Sequence, residues 1–154
     1  DEEELQPFLQ LDELAQRGIM LIPDLTEKRV YLSNLSPEEN LLFPIMGRSS
    51  RFLIKNQRMQ RYAWNSFEQI LGRYFQGDSI QGKYLEISIL YYRCILAQPN
   101  LLVCVNPYRY ADTLMRKIIA VFLRIAASQD ISVLMVSGEY KEMLLVCDQV
   151  IEMK

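Results

Sequence analysis

Three short apolar runs constrain this chain more than any other feature: Ile19-Met20-Leu21-Ile22, Leu101-Leu102-Val103-Cys104-Val105, and Ile131 to Val136. The first two are apolar throughout and the third is rich in β-branched residues. Strands without polar alternation are the pattern of parallel sheets, whose two faces are both covered. Helical spacings stand between the runs, and that alternation predicts an α/β fold with a parallel sheet.

The intervening segments can be read individually. Asp1 to Gln16 is acidic, with an apolar stripe of Leu5, Phe8, Leu9, Leu11, Leu14 and Ala15 that predicts one or two short helices. Gly18 precedes the first strand and Pro23-Asp24 closes it. Ser36-Pro37-Glu38-Glu39 sets a capping serine before a first-turn proline and two acids, which predicts a helix start. Lys55 to Phe75 carries Met59, Tyr62, Ala63, Phe67, Ile70, Leu71 and Tyr74 at helical spacing, and Tyr84 to Ala97 is a second helix, apolar nearly all round. Further helices are expected from Ala111 to Ser128 and from Glu139 to Val146, and a last strand from Gln149 to Met153. The helical stretch of about 36–98 is too long for a simple crossover. It predicts a helical lobe between sheet segments at 17–24 and 100–154, within one partial domain spanning 1–154.

Composition excludes several classes of function. With 154 residues, half of them hydrophobic, the chain can bury a sizeable core. A formal charge of -2 and the absence of a Lys/Arg run give no footprint for nucleic acid. The apolar stretches are too short and interrupted to cross a bilayer and no signal peptide is apparent, so a cytoplasmic protein is expected. Cys94, Cys104 and Cys147 lie in apolar segments without CxxC spacing, as buried reduced thiols do. There is no histidine, which removes Ser-His and Cys-His nucleophile pairs and the common zinc sites. Starting at Asp1 and stopping at Lys154 directly after an apolar run, the chain reads as cut from a longer protein.

Gly77-Asp-Ser-Ile-Gln-Gly82-Lys83-Tyr84 fits the phosphate-cradling G-x-x-x-x-G-K pattern except at its last position. A strand should deliver such a loop, and a Ser or Thr hydroxyl should follow the lysine to help hold magnesium. Here a helix precedes it and Tyr84 follows, so an interhelical turn is the expectation. The carboxylates of Glu38-Glu39 and of Glu139 with Glu142 read as solvated helix starts.

Read together, Gly18 to Met153 resembles the second cassette of the tandem ATP-binding-cassette ATPases of ribose-, galactose- and xylose-type sugar importers. Arg17-Gly18-Ile19 and Ile22-Pro23-Asp24 are similar to that family's "GIVYVPEDRK", and Ser36-Pro37-Glu38-Glu39-Asn40 to its "SVxEN". Ala97-Gln98-Pro99-Asn100-Leu101-Leu102 looks like the approach to its Walker B strand. Pro107, Arg109 and Asp112 match "DEPTRGVD", while Ser137-Gly138-Glu139, Glu142 and Asp148 fall on its switch, "SSE..E.....D". From Arg93 to Met153 the likeness needs no gap. The resemblance implies a partial parallel sheet of a nucleotide-binding domain, with Asp24 in the Q-loop region, Arg109 and Asp112 in the D-loop, and Ser137, Gly138 and Glu139 in the switch.

The departures fall on the chemistry. Walker B carboxylates hold magnesium and polarise water, but their places are taken by Val105 and Asn106, so no catalytic residue is expected. The signature "LSGGNQQ" falls on Gln81-Gly82-Lys83-Tyr84 and the three residues after them, and Tyr84 fills the space its second glycine leaves open. Nothing upstream of Gly18 supplies a Walker A loop. The expectation is therefore a degenerate cassette without hydrolysis or resident cofactor, ATP and magnesium entering only if a P-loop is supplied upstream or by a partner. The implied partners are another cassette, a membrane-spanning transporter subunit at the inner face of the membrane, or a second copy through an open sheet edge. Two alternatives stay open: the C-terminal part of a working transport ATPase whose P-loop lies upstream, and an unrelated α/β signalling or binding module.

Overall fold

The computed structural model describes residues 13–24, 31–42 and 57–153. Residues 1–12 of the helical run predicted from Asp1 to Gln16, and the start of the helix predicted from Lys55, lie outside the described residues.

The chain is mixed α/β around a small open parallel sheet. In order come β1 (Ile19–Ile22), α1 (Pro37–Leu42), α2 (Gln57–Tyr74), α3 (Lys83–Leu96), β2 (Leu101–Val105), α4 (Thr113–Ser128), β3 (Ser132–Val136) and α5 (Tyr140–Val146). Residues 13–16 are also helical and lead into β1 through Arg17-Gly18. The three strands pair in parallel in the order β1-β2-β3, with Ile22 beside Cys104 and Cys104 beside Met135.

This topology decides which face is covered. Successive right-handed crossovers that step in one direction put their helices on one side of the sheet. Accordingly, Met20, Ile22, Leu102, Cys104, Val133 and Met135 share a face and point into the core with α3 and α4. The other face carries Ile19, Leu21, Leu101, Val103, Val105, Leu134 and Val136, with Leu21 37%, Leu134 50% and Val136 43% exposed. The apolar runs implied two covered faces; the described residues cover one.

Helix α3 is buried continuously from Ile87 to Ile95, as its all-round apolar pattern requires. Phe67 of α2 stacks on Tyr92 of α3 at 5.5 Å and lies 6.3 Å from Phe122 of α4, so one core runs from the α2 helix to the sheet. The segment read as a helical lobe thus shares its apolar interior with the strands. Tyr91 and Tyr92 are core rings, and Tyr84 is half-buried.

Local chemistry fixes the ends of these elements. Ser36 Oγ accepts from Glu39 N at 3.1 Å while Glu39 Oε2 accepts from Ser36 N at 2.8 Å, a reciprocal capping box ahead of Pro37. At the base of the sheet Gly18 has φ +74, and its carbonyl accepts from both Asn100 N (2.7 Å) and Leu101 N (3.2 Å). A Cβ there would meet Asn100 Nδ2 at 2.7 Å, so only glycine fits.

The strand expected at Gln149–Met153 is not formed; those residues are irregular, and Ile151 and Met153 are 84% and 87% exposed. A parallel strand would need a return to the base of the sheet. In the described structure these residues pair with none of the three strands.

Candidate functional site at the carboxyl ends of the strands

Loops leaving the carboxyl ends of parallel strands are where α/β sheets place ligands, and here Asp24, Asn106, Arg109, Asp112, Ser137, Gly138 and Glu139 follow strand ends, whereas Gln81 to Tyr84 lie at the start of α3. They form two hydrogen-bonded sets.

The first set joins the ends of β1 and β2. Asp24, just past β1, has its side chain only 10% exposed. Its Oδ2 accepts from Asn106 Nδ2 at 3.1 Å and from Arg109 Nη1 at 3.0 Å. Asn106 sits in the left-handed region, φ 45, which asparagine tolerates better than other residues with a Cβ. Its backbone N donates to Val136 O at 2.7 Å, so this one residue ties the ends of all three strands together. Hydrogen bonding to Asp24 raises the pKa of Arg109. Val105, where the resemblance would place the other Walker B carboxylate, is the apolar end of β2.

The second set joins two helix starts. Asp112 is the N-cap of α4, its Oδ1 accepting from Met115 N at 2.9 Å. Its Oδ2 accepts from Lys83 Nζ at 2.7 Å and from the Tyr84 hydroxyl at 3.0 Å. The Lys83 hydrogen bond first, then the Met115 amide, depress the carboxyl of Asp112 to about 2, and the same contact raises Lys83. These groups are open to water, with Lys83 and Asp112 side chains 60% and 41% exposed.

The segment from Gly77 to Gly82 lies between two helices, so no strand delivers a phosphate loop to it. Gln81 and Gly82 are exposed, and Gly82, at φ +54, forms the N-cap of α3. Lys83 and Tyr84, on which the signature falls, are turned onto the Asp112 carboxylate of their own chain. At the end of β3, Ser137 Oγ accepts from Glu139 N at 3.0 Å, Gly138 and Glu139 are exposed, and Glu142 pairs with Arg116 of α4.

Sequence reasoning missed the role of Tyr108-Arg109-Tyr110. Tyr108 is buried, its hydroxyl pushed up to about 12 by burial, whereas Tyr110 is 79% exposed with the Arg109 guanidinium 5.3 Å from its ring centroid. Alternate aromatics around a cation were the available signal. Tyr140, at the start of α5, adds a second exposed ring after the sheet, 52% exposed.

The cysteines follow expectation as free thiols. Cys94 and Cys104 are buried and Cys147 is half-buried, and burial raises all three, Cys94 to about 11. Among the described residues, no group of three His, Cys, Asp or Glu side chains could hold a metal ion, and no helix is long and apolar enough to cross a membrane.

No family model matches the chain, and neither does any curated protein or solved structure.

Proposed function

We propose that this chain is a degenerate, non-hydrolytic domain related to the ATP-binding cassettes of sugar importers, acting as an interaction or regulatory module. The observation that carries the reading is the end of β2. A hydrolytic site needs one carboxylate there for magnesium and one to align water. Val105 offers neither, and Asn106 uses its amide to hold Asp24, itself paired to Arg109.

The parallel order β1-β2-β3 supports a cassette-like sheet, in which α1 to α3 stand between the first two strands and share their core. The exposed rings of Tyr110 and Tyr140 near the strand ends supply a surface for a protein partner: another cassette, a second copy, or a membrane-spanning subunit met at the cytoplasmic face. Nucleic acid is a poor partner for a chain of this charge.

The test is magnesium-dependent ATP hydrolysis by the chain carried in its upstream sequence, alongside a variant with Val105→Asp and Asn106→Glu. Background release from the natural sequence is the expected result. Hydrolysis well above background without those substitutions would overturn the reading. It would favour instead a working ATPase with an upstream P-loop, for which the exposed Glu139 in the switch is the supporting observation.

A further inference from the structure

We infer that Cys147, Met135 and Met143 form a binding site for a soft monovalent metal ion of the copper(I) type. Cys147 Sγ donates to Met135 Sδ at 3.6 Å, so a thiol from the end of α5 and a thioether from β3 already meet. Met143 stands one helical turn before Cys147, where side chains share a face, and both residues pack against the core. Cys147 N donates to Met143 O at 2.9 Å, which closes that turn.

The chemistry of the donors selects the ion. Thiolate and thioether sulfur suit copper(I), whereas magnesium and calcium take oxygen. Structural zinc sites take four ligands, almost always several cysteines or histidines, and a set with one cysteine falls short of that. The spacing agrees with a soft ion held by sulfur. Two sulfurs each about 2.3 Å from an ion in trigonal geometry stand about 4.0 Å apart, so the observed contact has to open only slightly. Binding breaks the Cys147 S–H bond, forms a sulfur–metal bond and passes the proton to solvent, with no change of oxidation state.

Tyr108 points to the same place independently. It is 4% exposed, and its hydroxyl has no hydrogen-bond partner. Burial first, and then the charge of Cys147, raise that hydroxyl, so the two groups lie close enough to interact. A buried hydroxyl without a partner is costly. A metal-bound thiolate, stripped of its proton, offers it an acceptor. The entry path is also present: Cys147 is half-buried, whereas Cys94 and Cys104 are buried.

The test is competition for copper(I), kept reduced with ascorbate under anaerobic conditions, between the full chain and the chromophoric chelator bicinchoninate. Retention of one equivalent by the natural sequence is expected, with affinity falling at least tenfold in Met135→Leu, a swap that conserves volume, and further in Cys147→Ser. Loss of all copper to the chelator from the natural sequence would overturn the inference. So would affinity unchanged in both variants, which would assign the metal to another thiol. Circular dichroism matching the natural chain in each variant shows that the loss comes from the ligand and not from the fold; a variant that has unfolded is replaced by Met143→Leu, for which the same tenfold fall is expected and unchanged affinity would count against the site.

Discussion

Asp24 and Asp112 are two aspartates with similar tasks in different surroundings. Each accepts from a cation and from a second side chain, and each ties together elements far apart in sequence. Asp24 does so nearly buried, at the ends of strands; Asp112 does so in water, at the starts of helices. Removing a partner from a buried charge strands that charge, whereas an exposed pair is replaced by solvent at little cost. The strand-end set should therefore hold the fold together, and the helix-end set should trim it.

Four substitutions test that difference in order of expected size. Asp24→Ala should cost about 2–3 kcal/mol in denaturant unfolding, below the full cost of breaking a buried pair because Arg109 can turn to water. Asn106→Asp keeps the shape but replaces a donor with a second carboxylate beside Asp24. A loss of about 1–2 kcal/mol at neutral pH is expected, shrinking in acid as the pair takes up a proton; equal losses at both pH values would show that charge is not the cause.

Asp112→Ala should lower the unfolding midpoint by less than either strand-end substitution, through loss of an N-cap. The wild-type carboxyl titrates lower in the folded chain, about 2, than the ~3.9 of an unfolded aspartate. Its stabilisation is therefore complete above about pH 4 and lost as pH falls towards 2, and the Asp112 carboxyl shift in an NMR titration checks this. Lys83→Ala should have the smallest effect on the unfolding midpoint, and less still in high salt.

Much of this arrangement was legible in the sequence. The runs Leu101 to Val105 and Ile131 to Val136 announced strands because uninterrupted apolar character has few other uses at that length, and Ser36-Pro37-Glu38-Glu39 announced its helix through chemistry confined to four residues. The bare face was not legible, since continuous apolar strands look the same whether one face or two are covered; only the direction of the crossovers decides. The stretch from Gln149 to Met153 misled because strand character depends on a neighbour to pair with, and here it pairs with none of the described strands. At the site, the spacing of Arg109 and Asp112 was visible, but their partners were not. Asp24 precedes Asn106 by 82 residues and Lys83 precedes Asp112 by 29, distances that only the fold closes.

The central claim is that Asn106 works as a structural donor to Asp24, tying the end of β2 to the end of β1. A double-mutant cycle of Asp24→Ala and Asn106→Ala, read by denaturant unfolding, measures that contact apart from everything else each residue does. The account predicts a coupling of about 1 kcal/mol or more. Losses that add to within about 0.3 kcal/mol would contradict it.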